Sequence, residues 1–292
     1  MSSIQPSPPF SVSVVIAYRH KVYVSFKSYA TLSLTHAALK WFHPFIPGII
    51  SNPLDAAICH KFLEAAKCSK PVVAKKEPIS ADIIKKIIDE YAGPSANLKD
   101  LRLACICSLA FAGFFRYYEF SSILPDYLVL LVVLVAFLPD YLYVFVRRAK
   151  NDVYREGNKV YIKRSFSKYC PVALLERYIL MAEVDLNSNL PLFRPLRLFK
   201  SSNTYKLYGD KLSYTRCREV FKNCLKDLGL AYNLYGLQSL RSGGATSVVS
   251  DSTSLSEPLL KLHGRWKSDC AKDMYVLEHV PKRLAITDNL GL

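Results

Sequence analysis

The sequence predicts a mainly α-helical protein with one small antiparallel β-sheet, an α+β fold in two domains. Three observations carry this prediction. Apolar residues recur at helical spacing along most of the chain, punctuated by capping residues. One pair of β-rich runs, YLYVFVRR and NKVYIKR, flanks a stretch with the turn residues Asn151, Asp152 and Gly157. The aperiodic, lysine- and proline-containing stretch SKPVVAKKEP marks a linker over 71–79, between a helical module at 1–70 and a larger domain at 80–292. With 292 residues, 51% of them hydrophobic, the chain is long enough to bury a core in each.

Taken in order, SYATLSLTHAALKWFHPF and NPLDAAICHKFLEAAKC read as two amphipathic helices, Pro53 suiting a first turn. Their module carries seven basic residues (Arg19, Lys21, Lys27, Lys40, Lys61, Lys67, Lys70) against Asp55 and Glu64. After the linker, Ser80 caps ADIIKKIIDEYA, whose isoleucines share a face, and Gly93-Pro94 stops it. A second helix, LKDLRLACICSLAF, ends near Gly113 and delivers FFRYYE. The pentapeptide LPDYL then occurs twice, at 124–128 and 138–142, which reads as a local duplication or insertion. Between the copies, YLVLLVVLVAFL is twelve residues long and too short for a membrane span, so it reads as a buried strand or helix. The hairpin follows, with a long tip and eight basic residues between Arg147 and Lys168. Helical pattern fills the rest: PVALLERYILMAE opened by Pro171, SYTRCREVFKNCLKDL between Ser213 and Gly229, SEPLLKLH with Pro258 in its first turn, and a last piece around KDMYVLEH.

Charge narrows the partner. Lys and Arg number 39 against 24 Asp and Glu, a net charge of +15, which favours a polyanion such as nucleic acid or an anionic membrane surface. The eight cysteines form no CxxC pair, and the spacing of Cys59, His60 and Cys68 fits no common zinc site, so neither disulfides nor a metal are expected. Cys217 and Cys224, seven apart in one helix, read as core packing. The N-terminus lacks the basic region of a secretory signal.

Chemistry-bearing residues are unremarkable singly; a lone arginine is ordinarily a surface cation and a lone tyrosine a packing aromatic. Their order is more informative. Arg116 lies in GFFRYYE, Lys150 in RAKND, Arg241 in YGLQSLRSGGAT, Trp266 in HGRWKS and Tyr275 nine residues later in KDMYV. On these boxes the chain resembles the tyrosine recombinases, the phage-integrase-like site-specific recombinases, and most of all their eukaryotic, mobile-element-associated members.

That resemblance covers most of the chain. It implies an N-terminal helical DNA-binding (SAM-like) domain and a C-terminal catalytic domain that breaks and rejoins DNA strands. Arg116 and Arg241 would clamp the non-bridging oxygens of a phosphodiester and neutralise charge in the transition state. Tyr275 would attack phosphorus, giving a 3′-phosphotyrosyl link, while Lys150 protonates the leaving 5′-oxygen. Trp266 holds the position of the family's His or Trp, and Glu119 that of its supporting acid. His263, too far from Tyr275 in sequence to replace Trp266, is given a supporting place. DNA contacts are expected from Lys40, Lys61, Arg147, Arg148, Arg155, Lys163 and Arg164. The same resemblance implies double-stranded DNA as partner, a homotetramer on two DNA sites, no cofactor, no membrane, and a nuclear location in a eukaryote. Two departures favour an alternative, a catalytically impaired DNA-binding relative. Gln238 stands where the family usually has histidine and cannot act as acid or base, and the LPDYL duplication lies between the Arg116 box and Lys150.

Overall fold

A computed structural model describes residues 11–46, 51–69, 75–123, 135–146, 156–185, 188–251 and 257–275. The chain divides into two compact units, Met1–Ala74 and Lys75–Leu292. Lys150, Arg147, Arg148 and Arg155 lie outside the described residues, as does the first LPDYL copy.

Among its described residues the first unit holds three α-helices where two were expected. α2 (Tyr29–Phe42) and α3 (Ala57–Cys68) are those read from the sequence, with Pro53 in a separate 3-10 turn just before α3. Ahead of them runs α1 (Val12–Phe26), started by the Ser11 hydroxyl, which accepts from the Val14 N–H. It was missed because apolar residues surround it instead of forming a stripe. A small core of Val15, Leu54 and Cys59 joins the three.

The second unit is built around α5 (Leu98–Ala112), a helix buried on every side from Leu101 to Ala110. Leu101, Ala104, Cys105, Leu109 and Ala110 are wholly inaccessible, and each leucine so buried contributes roughly 1.5–3 kcal/mol. α5 is wrapped by α4 (Ala81–Tyr91), α7 (Pro171–Met181) and α9 (Leu237–Asp251). Capping is as the sequence predicts: the Ser80 hydroxyl accepts from Ile83 N–H, Ser213 starts α8 (Tyr214–Asp227), and Pro171 opens α7. α6 is one turn, Tyr117–Phe120. α10 (Glu257–Gly264) and α11 (Asp269–Asp273) complete the described helices. Cys217 and Cys224 are buried on α8 as core residues, and burial pushes both thiols up to about 12.

The expected hairpin is β2 (Tyr141–Val146) against β3 (Asn158–Lys163), Tyr143 opposite Tyr161. β2 alternates, sending Leu142, Val144 and Val146 inward. A third antiparallel strand, β1 (Val135–Phe137), pairs with β2, with Val135 opposite Val144. The second LPDYL copy supplies the β1–β2 turn, closed by the Leu138 N–H on the Tyr141 carbonyl at 2.8 Å. One feature corrects the helical reading of the C-terminal half. β4 (Leu196–Phe199) and β5 (Thr204–Leu207) form a separate two-stranded sheet. Both strands are four residues long and mostly exposed, too short to show an apolar period.

The small residues of YGLQSLRSGGAT have a structural reason. A Cβ on Gly243 would strike the Ile79 carbonyl oxygen, and one on Gly244 would strike the Phe111 carbonyl oxygen. Only glycine lets α9 press this closely on the residues ahead of α4 and on the end of α5. The stretch is therefore a helix, and it brings Arg241 beneath the turn that follows α5.

Candidate active site

The site begins where α5 ends. Phe114 takes a left-handed backbone, φ 47°, and turns the chain so that Arg116 becomes the N-cap of α6. Glu119, three residues on, returns its carboxylate: Oε2 accepts the Arg116 backbone N–H at 2.8 Å and Oε1 accepts Arg116 Nη1 at 3.1 Å. One acid thus starts the helix and aims the arginine.

α9 and the segments that follow α10 and α11 supply the other groups. Arg241 is fully buried; Nη1 donates to the Phe114 carbonyl and Nη2 to the Gly264 carbonyl. Its Nη1 lies 3.7 Å from Glu119 Oε2. Two rings cover it, with Cζ 4.8 Å from the Trp266 centroid and 4.9 Å from that of Tyr275. The Tyr275 ring is itself 5.7 Å from Trp266 and 5.8 Å from Arg116 Cζ. Gly264 permits this arrangement, since a Cβ there would collide with the Trp266 ring. The structure therefore gathers Arg116, Glu119, Arg241, Trp266 and Tyr275, which lie up to 159 positions apart in sequence (275 − 116).

His263 stands beside them. Its Nε2–H donates to the Ala112 carbonyl at 2.9 Å, and its ring meets Phe114 edge-on at 4.7 Å. Gln238, one turn before Arg241 on α9, is exposed and makes no side-chain hydrogen bond to the described residues. The cations read as DNA contacts are placed differently from one another. Lys61 and Lys163 are exposed. Lys40 is half-exposed and paired with Asp55 at 2.5 Å. Arg164 is held by both oxygens of Glu176 at 2.8 and 2.6 Å.

One member of the cluster was absent from the sequence reading. Arg265, directly before Trp266, has a side chain only 2% exposed and joins Glu119 Oε2 through Nη2 at 2.7 Å. Its Nη1 also donates to the Gly113 and His263 carbonyls and its Nη2 to Phe114. The only available signal was its place inside HGRWKS. A tight turn at φ 56° aims it inward, and sequence pattern does not show such a turn.

Electrostatically the cluster is lopsided: Arg116, Arg241 and Arg265 face the single carboxylate of Glu119. Burial pulls the Arg241 guanidinium below its usual range, and repulsion from Arg116 and Arg265 adds to this. Burial alone would push the Glu119 carboxyl up, but Arg265, Arg241 and Arg116 together hold it below the ordinary carboxylate range. Burial likewise lowers Arg265 and His263. Three buried donors of the cluster, Arg241 Nε, Arg265 Nε and the Trp266 indole Nε1, have no partner among the described residues. Chemically, this is a buried surplus of positive charge and donors beneath a phenol, a setting for an anionic oxygen.

The sequence matches no family model, and no curated protein matches it. Solved structures do match. The Tn1549 transposon integrase in complex with transposon right end DNA aligns with TM-score 0.61 and 12% identity, over 100% of this chain and 89% of that one. XerH site-specific recombinase bound to difH substrate gives 0.57 and 13%, over 95% and 70%. A lambda integrase dimer bound to a COC′ core site gives 0.51 and 15%, over 91% and 64%. The fold is that of the tyrosine recombinases. Within the tyrosine recombinase fold, the Arg116 turn, α9 and the segments after α10 and α11 carry the cluster described above.

Proposed function

We propose that the chain cleaves and rejoins DNA in site-specific recombination or integration, through a 3′-phosphotyrosyl intermediate at Tyr275. The observation that carries this reading is the convergence, on one buried patch, of two arginines, a tryptophan and a tyrosine singled out by their order in sequence. The tyrosine recombinase fold supports it independently. The surplus positive charge of the cluster suits a phosphodiester, which brings the anion that Glu119 alone does not supply.

In the proposed reaction Arg116 and Arg241 hold the non-bridging oxygens, with Trp266 Nε1 as a further donor. The Tyr275 oxygen bonds to phosphorus as the bond to the 5′-oxygen breaks. Lys150 gives the leaving oxygen its proton, and the phenol proton passes to solvent. A second strand's 5′-hydroxyl reverses these steps and frees Tyr275. Residues 1–70 act as a DNA-binding domain and 80–292 as the catalytic domain, joined by 71–79. Lys40, Lys61, Lys163 and the three arginines 147, 148 and 155 serve as backbone contacts, while Arg164 is held by Glu176. The neighbours XerH and lambda integrase are described bound to DNA, the latter also as a tetramer on a Holliday junction. On that footing the chain acts on double-stranded DNA as a homotetramer bridging two sites. Its assignment to a mobile element, and in a eukaryote to the nucleus, belongs to the same reading. Among the described residues no helix is long and apolar enough to cross a membrane.

A second reading rests on Gln238, whose exposed amide lacks the proton-transfer capacity of histidine. In it the chain binds DNA and cleaves poorly or not at all. A nicked duplex carrying a site selected from random sequence separates the two. The enzyme traps a covalent adduct that Tyr275→Phe abolishes; salt-sensitive binding with no adduct leaves the second reading.

A further inference from the structure

Arg265 is the third arginine of the cluster and the most deeply tied. Its side chain is buried, it spans the Arg116 turn and the loop after α10, and it adopts φ 56°. A non-glycine residue is held in that region only where its surroundings enforce it. Its contacts explain what is gained. Glu119 Oε2 is taken by the Arg116 N–H at 2.8 Å and by Arg265 Nη2 at 2.7 Å, while Arg241 Nη1 stands off at 3.7 Å. The Phe114 carbonyl is shared in the same way, receiving Arg265 Nη2 at 2.7 Å as well as Arg241 Nη1. Both acceptors therefore sit between the two guanidinium groups.

We propose that Arg265 is a positioning residue that occupies Glu119, so that the Arg241 guanidinium stays available to a bound phosphate instead of closing an ion pair with the acid. The proposal rests on the reading of the cluster as a phosphate clamp. Without Arg265, Arg241 is the nearest remaining guanidinium to the carboxylate arm it vacates, and a charge-assisted pair at hydrogen-bonding distance replaces the present stand-off. Arg241 is then neutralised from within. Arg265 also leaves Oε1 to Arg116, which stays paired with it at 3.1 Å, so the acid orders one clamp arginine without capturing the other.

A simple loss of packing and this mechanism make opposite predictions for a double variant. The full chain carries two tryptophans, and Trp41→Phe leaves Trp266 as the fluorescent reporter, 4.8 Å from Arg241 Cζ. Inorganic phosphate is titrated against this chain, and adduct formation on nicked DNA is measured in parallel. Arg265→Gln is expected to weaken phosphate binding and slow cleavage by about tenfold or more, the scale of one lost charge interaction. Adding Glu119→Gln should bring phosphate binding back to within about threefold of the starting chain, because the acid that captures Arg241 is gone. A double variant that binds no better than Arg265→Gln overturns the proposal. Where Arg265→Gln fails to melt cooperatively, Arg265→Lys takes its place, with Glu119→Gln again expected to improve phosphate binding and a further loss overturning the idea. A starting chain silent to phosphate and forming no adduct overturns the clamp reading and this proposal together. A responsive chain with unchanged Arg265 variants overturns only the role of Arg265.

Discussion

Among the described residues two arginines are completely buried, and only one of them marks a site. Arg19, on α1, donates Nη1 to the Cys59 carbonyl at 3.0 Å and lies 5.4 Å over the Phe62 ring. It has no carboxylate partner among the described residues, and its Nε and Nη2 are unpartnered. Arg241 also has aromatic cover and carbonyl acceptors, but it shares its surroundings with Arg116, Arg265, Glu119 and Tyr275. Burial of a cation is thus no signature by itself. The signature is several cations converging beyond the available carboxylates, with a tyrosine ring against them.

The largest expected effect breaks this contrast outright. Arg241→Met should reduce adduct formation by roughly 10²–10³-fold, the loss typical of removing one donor to a developing oxyanion. Arg19→Met should leave adduct formation unchanged and the melting temperature equal or higher, since an apolar group of similar size often replaces a buried charge without loss. Equal effects of the two variants on cleavage would erase the distinction. Gln238→His should raise the cleavage rate by about tenfold by restoring a group able to transfer a proton; an unchanged or lower rate counts against Gln238 belonging to the site.

Two histidines compare the units in a milder way. Burial lowers His36 most, with Arg19, His60 and Lys40 adding and Asp55 opposing; burial also lowers His263, with Arg265 and Arg241 adding and the Ala112 carbonyl opposing. A histidine depressed in the folded state binds its proton more readily when unfolded. Its contribution to stability is therefore complete above about pH 6.5 and is lost as pH falls below that value. Urea melts at pH 7.5 and 5.5 should show this decline, with His36→Leu and His263→Gln each flattening it. The smallest effect separates neighbours at the end of β3. Lys163→Ala should reduce the salt dependence of DNA binding by about one unit of slope. Arg164→Ala, already engaged with Glu176, should change stability more than slope.

Much of this was legible before any coordinates. Ser80, Pro171 and Ser213 announced their helices because such a start is a local signal, readable over a few residues. The β2–β3 hairpin was legible because β2 alternates against one core. α1 was not, since its apolar residues encircle it, and neither was the β4–β5 pair, whose residues meet mainly each other. In the site, Arg116, Arg241, Trp266 and Tyr275 were found through their order in boxes. Arg265 escaped because its role depends on a left-handed turn and on acceptors contributed by Gly113, Phe114 and Glu119 far away in sequence.

The most direct test is to map the covalent product. Wild-type protein trapped on nicked DNA is digested with trypsin and nuclease, and the nucleopeptide is sequenced by mass spectrometry. The account predicts a nucleotide on Tyr275, in the peptide that follows Lys272. A nucleotide on any other residue, or none on a protein that binds the same DNA, would contradict it.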